Sequence, residues 1–181
     1  SLILNDTLPV SIMQVAGAKD VCIELNSLSK SHNLAGARIG MICGRADYLQ
    51  TILKVKSNVD SGTYLPIQEL AIAALKNSDE WHAARNDVYR SRRTWAYRIL
   101  DELGCVYSED QVGMFIWAKI PDSLKSPEQL SDKVLHEANV FITPGMIFGS
   151  NGERFVRISL CSPEADLQES LNRIQRRAAS V

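Results

Sequence analysis

One lysine, Lys30, stands in a segment of small and polar residues, LNSLSKSHNLAGARIG, from Leu25 to Gly40. Ser27 and Ser29 bring hydroxyl groups close to the lysine, and Arg38 follows it within the same segment. A lysine amine of lowered pKa can form an imine with an aldehyde, and a guanidinium beside hydroxyl groups suits a phosphate dianion. These groups together predict a site for a phosphorylated aldehyde. The spacing alone is equally consistent with an ordinary exposed loop lysine.

The elements that position these residues can be read from hydrophobic periodicity. Apolar runs at 21–25 and 37–44 predict two buried strands that flank the lysine segment. The run at 155–160 alternates, which places Arg157 on the face opposite the most apolar residues. A strand is also predicted at 113–120, and helices are predicted at 46–57, 66–76, 79–103, 126–140 and from 163 towards the C-terminus.

Composition argues against several classes of protein, among them nucleic-acid-binding, membrane-spanning and metal-binding proteins. The chain has 181 residues, 45% apolar and 23% charged, with a formal net charge of -1, so it can bury a core and offers no electrostatic footprint for nucleic acid. No apolar run reaches the length of a membrane helix. The four cysteines are far apart and show no metal-ligand or redox spacing, so we expect no metal site and reduced cysteines in a cytoplasmic protein. The start on SLIL without Met is typical of a fragment.

The lysine segment resembles the cofactor-lysine signature of the class I/II, fold type I aminotransferases that use pyridoxal phosphate. That signature runs Ser-x-Ser-Lys and then Gly-x-Arg-x-Gly, and the segment SLSKSHNLAGARIG matches all of it. A second segment, TPGMIFGSNGERFVRISL, resembles the family's C-terminal turn and its strand with the substrate-binding arginine. The two motifs come in the family's order and at a similar separation. The segments AGARIGM and TPGMIFG most resemble the branch that contains LL-diaminopimelate, aspartate and alanine aminotransferases.

The resemblance implies a role for each matching residue. Lys30 would form the internal aldimine with pyridoxal phosphate and shuttle the proton between the substrate Cα and the cofactor C4′. Ser27, Ser29 and Arg38 would hold the cofactor phosphate, and Arg157 would bind the substrate α-carboxylate. The reaction would transfer an amino group from an amino acid to a 2-oxo acid, with small molecules as substrates.

The resemblance also implies a fold and an assembly. We expect an α/β fold: the C-terminal part of the cofactor-binding large domain at 1–78, a long connecting helix at 79–104, and a small α+β C-terminal domain at 105–181. The chain matches only the C-terminal half of the family. We therefore expect it to be inactive alone, as a fragment of a homodimeric enzyme whose active site lies at the subunit interface.

Other functions are compatible with the same residues. Relatives with this lysine signature catalyse β-elimination or cyclisation, which makes a pyridoxal-phosphate lyase the first alternative. The second is the effector-binding domain of an aminotransferase-like transcription regulator, whose DNA-binding module would precede this segment. The third is a structural fragment whose only activity is docking to its missing half.

Overall fold

The computed structural model describes residues 3–5 and 10–178. Helices and strands occupy most of this part of the chain, and short 3-10 turns connect several of them. The helices are α1 (Ala18–Val21), α2 (Leu28–Ser31), α3 (Ala46–Val59), α4 (Leu65–Leu75), α5 (Asp79–Glu102), α6 (Pro127–Ala138) and α7 (Glu164–Ala178). The strands are β1 (Ile23–Ser27), β2 (Gly40–Gly44), β3 (Phe115–Lys119), β4 (Thr143–Pro144) and β5 (Phe155–Ser159).

The chain divides into two compact units, Ser1–His82 and Ala83–Val181. We call them the lysine unit and the arginine unit, after Lys30 and Arg157. The division falls inside α5, close to its start. The domain limits expected from the sequence, at 78/79 and 104/105, stay predictions.

The lysine unit contains a two-stranded antiparallel sheet, in which β1 pairs with β2 and Ser27 lies opposite Gly40. Both strands were expected to be buried, and this expectation is wrong for the described residues: Leu25 is 69% exposed, and most of their other residues are exposed too. Two strands bury an apolar face only when a further layer covers it. Among the described residues of the lysine unit, no such layer covers β1 and β2.

Helices α3 and α4 also keep apolar side chains at the surface. None of the residues of α3 is buried, and Val59 at its end is 78% exposed. Helix α4 begins with Pro66 in its first turn, as predicted, and buries only Ala71 and Ala74. The lysine unit therefore presents an unusually apolar surface for a chain of this composition.

The arginine unit contains a three-stranded antiparallel sheet of order β3-β5-β4. Strand β5 alternates as predicted, with Val156 and Ile158 buried and Arg157 half-buried. Strand β4 was not predicted, because it has only two residues and one of them is proline. The largest fully buried side chains of this unit are Leu100, Ile116, Ile120, Pro127, Val156, Leu160 and Leu171.

Local chemistry sets the helix ends of the arginine unit. The hydroxyl of Ser126 caps α6 by accepting a hydrogen bond from the backbone N–H of Gln129 at 3.3 Å, as predicted. The side chain of Gln129 reaches back and accepts a hydrogen bond from the backbone N–H of Lys125 at 2.9 Å, close to the geometry of a capping box. Helix α5 ends before Gly104, which adopts the left-handed conformation at φ 66°.

None of the helices in the described ranges is long and apolar enough to cross a membrane. Residues 3–5 and 10–178 contain no cluster of three or more His, Cys, Asp or Glu side chains that could hold a metal ion. The cysteines at 22, 43, 105 and 161 are all free.

Candidate functional site

Lys30 lies on α2, a single helical turn that follows β1 without a connecting loop. Ser27 ends β1 and caps α2: its Oγ accepts a hydrogen bond from the backbone N–H of Ser29 at 3.2 Å. Leu28 is only 2% exposed and anchors the turn in the lysine unit, while Lys30 is exposed. Within the described residues, no hydrogen bond or ion pair engages the Lys30 ammonium group. The amine is therefore presented to solvent on an anchored turn.

Arg38 lies in the same connection as Lys30, shortly before β2. The chain passes through a 3-10 turn at Ala35–Ala37, and Arg38 then adopts the left-handed conformation at φ 52°. The backbone N–H of Leu28 donates to the carbonyl of Ile39 at 3.2 Å, which joins the start of α2 to the residue after Arg38. Arg38 is exposed, and its Nη1 donates to the carbonyl of Ala35 at 3.1 Å. The structure thus gathers Ser27, Ser29, Lys30 and Arg38 in one connection between β1 and β2.

Two glycines in this connection have different surroundings. A Cβ on Gly40 would lie 2.5 Å from the carbonyl oxygen of Asn26, so glycine is required there for the strands to pair. A Cβ on Gly36 would meet no atom within 4 Å. The space beside Gly36 is open, and its backbone is accessible to a ligand.

The donor set fits the phosphorylated aldehyde that the sequence resemblance implies. Lys30 supplies an amine that can react with an aldehyde, and Arg38 supplies a second positive charge with N–H groups that Ala35 does not occupy. Ser27 and Ser29 add hydroxyl groups that can donate to phosphate oxygens. Ser27 currently uses only its acceptor capacity in capping α2. One guanidinium with two hydroxyl groups offers positive charge and hydrogen-bond donors to a phosphate group.

An aromatic cluster beside Lys30 was not predicted. The ring of His32 stacks on Trp81 with centroids 6.1 Å apart and meets His82 edge-on at 5.3 Å. Ser31 Oγ lies 2.9 Å from His32 Nδ1. His82 is half-buried in this cluster. No local pattern predicts this contact, because about fifty residues separate the two histidines.

Arg157 lies in the arginine unit at the centre of its sheet. Strand register places it between Trp117 of β3 and Thr143 of β4. Its Nε is buried and has no hydrogen-bond partner in the described residues. It also lines a cavity of about 250 Å³ together with Thr143, Ser159 and Asp166. Arg157 therefore combines an ordered position in the sheet with access to a space that can hold a small ligand.

Two phenylalanines enclose the guanidinium of Arg157. Its Cζ lies 4.2 Å from the ring centroid of Phe115 and 4.0 Å from that of Phe148. Phe115 begins β3, and Phe148 ends the 3-10 turn Gly145–Phe148. We call the Phe115–Arg157–Phe148 arrangement the aromatic clamp. The sequence places Phe148 in a motif with Arg157, yet the motif does not reveal that the two side chains touch.

The segment after β5 is tied to α5. Arg92 Nη1 donates to the carbonyl of Leu160 at 3.0 Å. The carboxylate of Glu164 accepts hydrogen bonds from Trp95 Nε1 and Ser91 Oγ, each at 2.8 Å. These two bonds lower the pKa of Glu164, with that from Trp95 contributing most. The end of the Arg157 strand is thus fixed by a longer helix of the same unit.

Comparison with known proteins finds relatives over most of the chain. The family model for class I and II aminotransferases matches residues 3–174. An LL-diaminopimelate aminotransferase from Oleidesulfovibrio alaskensis is 40% identical over 166 residues, which cover 92% of this chain and 42% of that protein. The LL-diaminopimelate aminotransferase from Aquifex aeolicus is also 40% identical, over 167 residues, with 92% of this chain and 43% of that protein covered.

Solved structures also resemble this chain. BacF from Bacillus subtilis superimposes with a TM-score of 0.84 at 35% identity, over 94% of this chain and 44% of that one. An aromatic aminotransferase from Pyrococcus horikoshii gives a TM-score of 0.87 at 27% identity, over 98% of this chain and 48% of that one. The chain spans less than half the length of the relatives that it matches.

Proposed function

The chain belongs to the class I and II aminotransferase family, and on this premise we propose that it supplies part of the catalytic machinery of an aminotransferase. The parent enzyme would transfer an amino group from an amino acid to a 2-oxo acid. The family depends on pyridoxal phosphate. The observation that carries the proposal is the β1–α2–β2 connection, which gathers an accessible lysine with an arginine and two serines that suit this cofactor.

The residues of the lysine unit would hold the cofactor. Arg38 and the hydroxyl groups of Ser27 and Ser29 would bind the phosphate, and the amine of Lys30 would bind at the aldehyde carbon. When bound, pyridoxal phosphate supplies an electron sink for the charge that develops at the substrate Cα. The Nζ of Lys30, once neutral, would accept the proton from that Cα and act as general base.

Arg157 would bind the α-carboxylate of the substrate. Its guanidinium offers two parallel N–H groups, which match the two oxygens of a carboxylate. The bordering cavity of about 250 Å³ supports this role, because a small amino acid could approach the arginine through it. The position on β5 also supports it, since a strand orients a side chain better than a mobile loop does.

We also propose that these 181 residues act as part of a longer polypeptide and are inactive alone. Two findings support this: the matched relatives are more than twice as long, and Leu25 and Val59 leave apolar surface uncovered in the lysine unit. A covalent role for Lys30 requires a neutral amine shielded from water, and its exposure here leaves that shielding to other residues. A homodimeric parent with an interfacial active site remains part of the proposal, as does a cytoplasmic location, which the four free cysteines support.

The donor is proposed by analogy. LL-diaminopimelate is the first candidate, because the relatives at 40% identity carry that name. Aspartate and alanine are the next, since the sequence motifs resemble enzymes that use them.

The test is an amino-transfer assay on the protein at its natural length. Each donor is supplied with 2-oxoglutarate and pyridoxal phosphate, and the wild-type protein is compared with Lys30→Ala, with Lys54→Ala as an exposed-lysine control. We expect transfer that is abolished by Lys30→Ala and unchanged by Lys54→Ala. Equal transfer by wild type and Lys30→Ala would refute the assignment of the lysine.

Two further measurements separate the alternatives. A lyase would release ammonia and a 2-oxo acid from the donor without any acceptor, and an effector domain would bind a ligand without turnover. Assaying the 181-residue chain beside the natural-length protein tests the proposed inactivity. Lys30-dependent transfer by the short chain would show that this part of the proposal is wrong.

A further inference from the structure

Arg157 could not bind a carboxylate reproducibly if its long side chain were free to rotate. Four torsion angles separate the guanidinium from the backbone, and an ordered strand fixes none of them directly. Yet the Cζ of Arg157 lies 4.2 Å from one phenylalanine ring centroid and 4.0 Å from another. These separations fall well inside the range in which a cation is attracted to an aromatic face. The two rings restrict the guanidinium from two directions.

The clamp is supported by its neighbours. Trp117 meets the ring of Phe148 edge-on, with centroids 5.4 Å apart, and it also lies opposite Arg157 in the strand register. The backbone of the Phe148 turn is held by close packing: a Cβ on Gly145 would lie 2.6 Å from the carbonyl oxygen of Phe155. Phe148 is nevertheless 48% exposed. A well-supported but accessible ring therefore covers one side of the arginine.

Within the described residues, the guanidinium has no acidic partner at ion-pair distance. The Nε of Arg157 is buried without a hydrogen-bond acceptor. Each ring displaces water from the part of the guanidinium that it covers, and the uncovered edge stays open to hydrogen bonding. The unpaired Nε in a poorly hydrated site favours binding of an anion that supplies acceptors. A planar carboxylate has the shape to bind at that edge.

We propose that Phe115 and Phe148 are positioning residues that hold Arg157 ready for a substrate carboxylate. The carboxylate part of this inference rests on the proposed function, whereas the clamp itself does not. Removing the π face of Phe148 would raise the KM for the amino donor about fivefold, as expected for the loss of one partly exposed cation–π contact. The value of kcat would change little, because the chemistry at Lys30 does not involve this ring.

The kinetic experiment uses the natural-length protein with two substitutions of Phe148. Phe148→Leu keeps an apolar side chain without the aromatic face, whereas Phe148→Tyr keeps that face and has room for its hydroxyl group at the surface. Phe155→Leu is the matched control. The ring centroids of Phe155 and Trp117 lie 6.4 Å apart, but within the described residues the Phe155 ring makes no cation–π contact with Arg157. We expect a raised KM only for Phe148→Leu, with kcat within about twofold of wild type. Equal KM values for all variants, or equal losses for Leu and Tyr, would overturn the positioning role.

A second readout needs neither activity nor cofactor. In the natural-length protein, free of cofactor and labelled with 15N-arginine, the Nε–H signal of Arg157 should be shifted by the ring currents and exchange slowly with water. Phe148→Leu should reduce the shift to what the Phe115 ring alone produces, and Phe155→Leu should retain the full shift. A wild-type signal at the position of a solvated arginine would overturn the clamp. If the shift is present but Arg157→Ala leaves the donor KM unchanged, the carboxylate role fails while the clamp stands.

Discussion

The side chain of Gln111 binds the outer edge of β3, in the sheet that carries Arg157, and its removal gives a measurable prediction. Gln111 Oε1 accepts from the backbone N–H of Trp117 at 2.8 Å, and Gln111 Nε2 donates to the carbonyl of the same residue, also at 2.8 Å. These backbone groups therefore point away from β5, and the glutamine amide pairs with them as a neighbouring strand would. Because Trp117 lies opposite Arg157, the bonds hold the strand beside the aromatic clamp.

The magnitude follows from the two part-buried bonds to Trp117, since the third bond of Gln111, from Nε2 to the carbonyl of Ser108, is exposed and adds little. A neutral hydrogen bond contributes about 1 kcal/mol net, so Gln111→Ala should lower the free energy of unfolding of the arginine unit by about 2 kcal/mol. Gln111→Glu should be at least as damaging at neutral pH. Its carboxylate would keep the acceptor but face the carbonyls of Trp117 and Ser108, to which the amide now donates. Acidification should restore part of the loss, because a protonated carboxyl group can donate again.

The assay is urea unfolding of the chain. Amide hydrogen exchange follows the arginine unit at Leu160, whose N–H donates to the carbonyl of Met114 at 2.9 Å and not to Gln111. A loss of about 2 kcal/mol corresponds to roughly thirtyfold faster exchange of an amide that opens with the unit. Gln175→Ala is the matched control, since Gln175 makes one exposed bond to Glu102 at 2.9 Å and should cost less than about 0.5 kcal/mol. A change for Gln111→Ala no larger than the control's would refute the reasoning.

Three other predictions concern the same chain. Leu100→Ala removes a fully buried side chain and should lower the free energy of unfolding by about 3–5 kcal/mol, whereas exposed Leu53→Ala should cost less than about 0.5 kcal/mol; urea unfolding compares the two. Ser126→Ala removes the cap of α6 and should cost about 1 kcal/mol in the same assay, with Ser126→Asp close to wild type. Burial raises the pKa of Cys105 to about 11 from the ordinary 9.0. As the pH rises, the thiol therefore ionises first in the unfolded chain. The free energy of unfolding of the arginine unit should fall between about pH 9 and pH 11. Cys105→Ala should flatten this pH profile in urea unfolding, and an unchanged profile would exclude the thiol as its cause.

The sequence predicted most of what depends on local patterns. The family resemblance is confirmed by the model match over residues 3–174, and the limits of α5 and the alternation of β5 agree with the structure. Such features depend on periodicity and on residues that end helices, such as Gly104, all of which lie close together in the chain.

The features that the sequence missed depend on contacts between distant residues. Strands β1 and β2 have the composition of buried strands, yet they are exposed here, because no layer of the described lysine unit covers them. The contact of His32 with His82 and the aromatic clamp join residues from separate elements. Hydrophobic periodicity carries no information about such pairs. The roles of Lys30 and Arg157 stay predictions, since they depend on a ligand.

The most direct test of the central claim is to locate the lysine that binds the cofactor. The natural-length protein is mixed with pyridoxal phosphate, reduced with borohydride and digested, and the modified peptide is identified by mass spectrometry. We predict a visible absorbance band before reduction that Lys30→Ala abolishes, and a single pyridoxyl group on the peptide that contains Lys30. Modification of another lysine with Lys30 unlabelled, or a band that survives in Lys30→Ala, would contradict the account.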